Sequence, residues 1–150
     1  MPNVTKVTSA LVTKLGADAA LIALMPDGAW FKVAPQGATR FVLVSLIDAV
    51  NEPQLGGKRA AKDCLYLIDA RALATGDPTA ATAVDAAAAR LDDLLDPQPP
   101  LPPATLDVEG YSLVDCQCEE DVQDTETDDV DPSILWYRAG GHFRIQVAPL

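Results

Sequence analysis

Residues 77–96, DPTAATAVDAAAARLDDLLD, constrain what this chain can fold into more than any other stretch. Asp77 is placed to cap a helix, and Pro78 stands at the first helical position, where a missing N–H costs nothing. The turns that follow are mostly Ala, Thr and Val, and Ala has the highest intrinsic helix propensity. Ala80, Val84, Ala87, Ala88, Leu91, Leu94 and Leu95 recur at helical spacing and form one apolar stripe. Thr82, Asp85, Asp92, Asp93 and Asp96 turn away from it. Pro97 stops the helix and opens the stiff segment PQPPLPP. Burial of Val84, Leu91, Leu94 and Leu95 is worth about 1.5–3 kcal/mol each. The small Ala side chains allow close approach to a sheet. A helix this one-sided needs a platform.

The strands that supply it are read from alternation and from runs of β-formers. Residues 4–25 read as two helical pieces broken near Gly16, and Pro26-Asp27-Gly28 is a turn. A short strand is predicted over 29–33 (AWFKV). The apolar run 41–47 (FVLVSLI) predicts a strand covered on both faces. The loop 51–59, with Pro and paired Gly, is expected to project. CLYLID, within 60–71, predicts a second central strand. After the prolines, 106–118 alternates cleanly, and EEDVQDTETDDVD over 119–131 reads as an acidic loop projecting over about 119–132. Residues 134–137 are expected to pair with 143–147 across Ala139-Gly140-Gly141-His142, a hairpin signal.

This order predicts one α+β domain over 1–150. An antiparallel or mixed β-sheet packs against one long helix, with two short N-terminal helices before it. At 150 residues the chain is long enough for one real core and short for two.

Charge narrows the function. The net charge is −11, and fourteen of the twenty-two acids lie between Arg90 and Arg138, where there is no Lys or Arg. Such a chain is not built to grip nucleic-acid phosphates, which demand cations. No signal peptide is expected from the first residues, and no apolar run is long enough to span a bilayer. Cys64, Cys116 and Cys118 form an odd set without a disulfide-framework spacing, which suits a reducing compartment.

Candidate chemistry is sparse. Cys116 and Cys118, with Cys64 and His142, supply the atoms of a Cys3His zinc site, but C-x-C along a strand is not the usual knuckle spacing, and buried thiols packed as small apolar groups are the simpler reading. The acids Asp124, Glu126, Asp128, Asp129 and Asp131 alternate like a calcium loop yet lack the central Gly and the final bidentate Glu. No nucleophile elbow or phosphate-cradling Gly loop is present, and His142 is the lone His. No catalytic residue, metal ligand or cofactor is therefore assigned, and no enzyme is expected. Trp30, Trp136 and Tyr137, with Leu55 in the 51–59 loop, are the candidates for a subunit or partner interface.

Several stretches together resemble the tail terminator (tail completion, head–tail joining) proteins of long-tailed bacteriophages. They are ALVTKLGADAALIALMPDGAWFKVAP, FVLVSLID, CLYLIDARAL, the helix end ARLDDLL and the closing WYRAGGHFRIQV. The resemblance covers most of the chain and lies in the order of elements. It implies a structural virion protein, assembled in the host cytoplasm, forming a homo-oligomeric ring (a hexamer) that caps the tail tube. Its partners would be the tail tube protein and the head-closure protein of the neck. DNA would pass through the lumen without specific binding, with no membrane involved. Glu119, Glu120, Asp121, Asp124, Glu126, Asp128, Asp129 and Asp131 would then be candidates to face the lumen, where negative charge repels the duplex. The alternatives are another neck protein (a head-closure protein or head–tail adaptor), an acidic DNA-mimic inhibitor, and a metal-dependent hydrolase using the acidic loop.

Overall fold

Alternation in the central strand sets the architecture. In β3 (Ala61–Leu73) Lys62, Cys64, Tyr66, Ile68, Ala70 and Ala72 are all buried, while most of their neighbours are only half covered. That is the period-two signature of a sheet with one face on the core. The structure, a computed structural model, describes residues 4–52 and 61–150. Its order is α1 (Val4–Ala17), α2 (Ala19–Leu24), β1 (Ala29–Phe31), β2 (Arg40–Glu52), β3, α3 (Ala80–Leu95), β4 (Tyr111–Thr127) and β5 (Leu135–Pro149). The five strands form one sheet in the order β1-β2-β3-β5-β4. β1 lies parallel to β2, and every other pairing is antiparallel.

The inner face of the sheet carries Val42, Val44, Tyr66, Ile68, Phe143, Ile145 and Val147, all fully buried. They share one core with Val7, Leu11 and Leu15 of α1 and with Ala87, Leu91 and Leu95 of α3. Tyr66 on β3 meets Thr8 on α1 through hydroxyls 2.7 Å apart, which satisfies a polar pair inside an apolar layer. Arg90 of α3 grips Asp18 at the α1–α2 junction (Nη2 to Oδ1 2.7 Å), and Asp18 also caps α2 by accepting from the Leu21 N–H. Among the described residues no helix lies on the opposite, outer face.

This overturns the expected fold class. The molecule is a strand-dominated mixed sheet, not a sheet organised on one long helix. α1 runs 14 residues without a break at Gly16, close to the 16 of α3, so two comparable helices share the inner face and only α2 is short. The Val7–Leu11–Leu15 stripe carries the helix through to Ala17, where Asp18 resets the chain. α3 also starts later than expected. Thr79 is its N-cap position, and Asp77 lies just before it, holding the Thr79 N–H and hydroxyl.

Two further expectations fail in the C-terminal third. The acidic loop is mostly strand, since β4 runs unbroken to Thr127 and only 128–134 turn the chain. Cations on neighbouring strands make this possible. The Gly-Gly hairpin is absent, because β5 crosses it as one straight strand. Gly140 and Gly141 are there for room. A Cβ on Gly140 would run into the Ile68 carbonyl and lie 2.5 Å from Asp69 Cα; one on Gly141 would lie 2.7 Å from the Glu120 carbonyl. The projecting loop 51–59 falls almost wholly outside the described residues.

Candidate functional site

The outer face is where the unexplained chemistry collects. On β3 it presents Asp63, Leu65, Leu67, Asp69 and Arg71, and the register places these opposite Gln146, Arg144, His142, Gly140 and Arg138 of β5. β4 adds Asp115, Gln117, Glu120, Val122, Asp124 and Glu126 beyond them. Cross-strand neighbours on one face lie within reach of each other, so acids on β4 meet bases on β5. Arg138 reaches Glu126 at 3.2 Å and Asp124 at 3.7 Å, and Arg71 reaches Glu126 at 3.5 Å. Arg144 binds Glu119 on one side and Asp63, at 2.7 Å, on the other. His142 Nδ1 lies 3.2 Å from Glu120.

Asp69 sits at the centre of this web, 1% exposed, with Oδ2 taking the Arg71 Nε–H at 3.2 Å and Arg138 Nη1 at 3.7 Å. Burial raises its pKa, and the two guanidinium groups work against that rise. Asp69 Oδ1 and Arg138 Nε are buried without a hydrogen-bond partner, an arrangement that costs stability. Glu119 is held below the usual carboxylate range by its bond to Arg144.

The acids thus divide. Glu119, Asp124 and Glu126 are tied to arginines on the outer face, and Glu120 faces His142 Nδ1. Asp121 points to the other side, with its Oδ1 3.6 Å from Cys118 Sγ. Asp128 caps the β4–β5 turn by accepting from the Val130 and Asp131 N–H groups, Asp131 holds Ser133, and Asp129 is exposed. Their oxygens serve local turns and ion pairs, not one converging cation site.

The aromatic candidates separate too. Trp30 is 40% exposed on the edge strand β1, with Nε1 donating to the Asp27 carbonyl at 2.6 Å. Trp136 packs edge-on against Phe41 on the outer face, ring centroids 5.8 Å apart. Tyr137 is half-buried on the inner side, in a cleft between α3 and β4 lined by Ala81, Val84 and Gln123. Leu55 lies outside the described residues. What sequence reasoning missed is Asp69 with its two arginines, since the alternation of β3 alone does not show that three strands bring their charges to one point.

No zinc set forms from the cysteines and His142. Cys64 and Cys116 face the core on either side of Ile145, whereas His142 faces outward. Desolvation pushes the Cys64 thiol up to about 11 and the Cys116 thiol to about 12, so both stay protonated and inert. Asp92, Cys118 and Asp121 do bring three ligand atoms within 4.8 Å of one another. Burial, then the nearby carboxylates Asp92 and Asp121, pushes the Cys118 thiol up to about 11, which disfavours the thiolate a metal would need.

No protein-family model matches the chain, and no curated protein is similar to it at a significant level. Among solved structures, a chain from the "Virion of native gene transfer agent (GTA) particle" superposes with a TM-score of 0.65 and 23% identity. The match spans 94% of this chain and 93% of that one. The two chains share a fold. No helix among the described residues is long and apolar enough to cross a membrane.

Proposed function

We propose that this chain is a structural virion protein that forms a ring on the tail tube and joins tail to head-neck. The observation that carries the reading is the shared fold with a chain of a gene transfer agent virion, which runs end to end on both sides. The element order of the tail terminator proteins points the same way. In this reading the chain is not an enzyme and needs no cofactor. Its ionic side chains brace strands against one another, as Arg138 and Arg144 do, and do not activate a substrate. Its partners are other copies of itself, the tail tube protein and the head-closure protein. DNA passes a lumen whose acids repel phosphate and hold no sequence.

Labelling tests the proposal directly. An antibody against the chain, applied to particles made by the cell that encodes it, is expected to place gold at the head–tail junction. Particles that lack the chain, or label confined to the capsid wall or tail tip, would overturn the assignment.

A further inference from the structure

The two edges of the sheet differ in kind. At one edge, β1 covers only Val42–Val44 of β2, and the remainder of β2 to Glu52, paired with β3 on its other side, has no strand on the β1 side among the described residues. Exposed apolar side chains gather there: Trp30 40%, Phe31 38%, Val33 75%, Ile47 50% and Val50 50%. Trp30 and Val50 stand on the outer face and Phe31 on the inner, so apolar groups line this edge on both sides of the sheet. The backbone is strained at the same place. Lys32 has φ +66, and the Val33 N–H bonds back to the Phe31 carbonyl at 2.8 Å. That is a γ-turn of the rare positive-φ kind. It holds Lys32 and Val33 outward, and strain of this sort persists where the surroundings impose it. Lys32 is exposed and lies 5.2 Å from the Phe31 ring centre. Asp48, on the same edge, turns its carboxylate onto the Ala49 N–H.

At the other edge lies β4, 17 residues long, with β5 on one side and, among the described residues, no strand on the other. It carries six acids and no Lys or Arg, and Val114 is 62% exposed in its first half. Of these acids Glu119, Asp124 and Glu126 are held by arginines of the same copy, whereas Asp115 and its neighbour Val114 are exposed. They favour an edge that offers a cation beside apolar groups.

We infer that copies of this chain join head to tail, the β1–β2 edge of one copy docking on the β4 edge of the next. The inference rests on the ring reading above and names its interface. Different patches at opposite ends of one sheet make a heterologous contact, the kind that closes into rings. Main-chain groups supply the affinity, Val114 meets the apolar edge, and Lys32 meets the exposed Asp115.

Two variants of the full chain test it, one per edge: Lys32→Glu with Val50→Asp, and separately Val114→Asp. Thermal melts establish that each folds, and Lys32→Glu alone, at an exposed site, replaces the double variant should that unfold. In sedimentation velocity each variant alone is expected to self-associate at least tenfold more weakly than the unmodified chain. An equimolar mixture is expected to form a 1:1 dimer that grows no further, because one intact interface remains. Assembly of either variant at unmodified strength, or a mixture that stays monomeric, overturns the edge interface while leaving the ring reading standing. An unmodified chain that never associates overturns both.

Discussion

Gly140 shows how one residue can specify a strand crossing. Its hydrogen stands where a Cβ would strike the β3 backbone at Ile68 and Asp69. Gly140→Ala is expected to lower stability by about 1–3 kcal/mol, since either β3 or β5 must move to admit the methyl group. Denaturant unfolding measures it, and an unchanged midpoint would mean the close approach is absent. The carboxylates give a pH profile with a sign. Asp18 is depressed chiefly by Arg90, Glu119 by Arg144, and Asp77 by Arg40 and Thr79 down to about 2. Carboxylates depressed in the folded state stabilise it above their unfolded pKa of about 4, and that contribution is lost as pH falls through the folded values. Asp69 runs the opposite way: its folded pKa is raised, so its protonation on acidification favours the folded state. The urea midpoint is therefore expected to be level or slightly rising from pH 7 toward 5, then to fall steeply between about pH 4 and 2. A steady loss beginning at pH 6 would contradict these assignments.

Among the elements, α3 was the most legible. Of the expected stripe Ala80, Val84, Ala87, Leu91 and Leu95 are buried, Ala88 and Leu94 are only half-buried, and Ala83, outside the stripe, is buried as well. Leu91 is fully buried, and Leu91→Ala is expected to cost about 2–5 kcal/mol, the lost transfer energy plus a cavity. A cost below about 0.5 kcal/mol, read from urea midpoints, would show that the site collapses or that the stripe faces elsewhere. The strands over 41–47 and around CLYLID were legible as strands because apolar β-formers announce themselves locally, but 41–47 is not covered on both faces, since Ile47 is 50% exposed. β4 and β5 were not. A run of acids looks like solvated loop when read alone, and only the register with Arg138 and Arg144 shows how it can lie flat in a sheet. Gly-Gly signals a turn locally, whereas here it marks contact with strands distant in sequence. Of the candidate interface residues, Trp30 was chosen for being a Trp, and it is 40% exposed on β1. The strain at Lys32 had no local signal, and neither did the burial of Asp69.

At the scale of the whole molecule, one face of the sheet is closed by two helices, while the other is laced by ion pairs and left without a helix. Cys64 is buried and Cys116 and Cys118 half-buried, all three with raised pKa values, and Glu119, Asp124 and Glu126 of β4 are bound to arginines. In the ring reading proposed above, neighbouring copies meet at the edges of this sheet. Electron microscopy of the purified full chain, alone and mixed with tail tubes, tests that claim most directly. The expected result is a six-fold ring with a central hole, free or seated on the tube end. Dispersed single molecules in both samples, at every concentration tried, would contradict it.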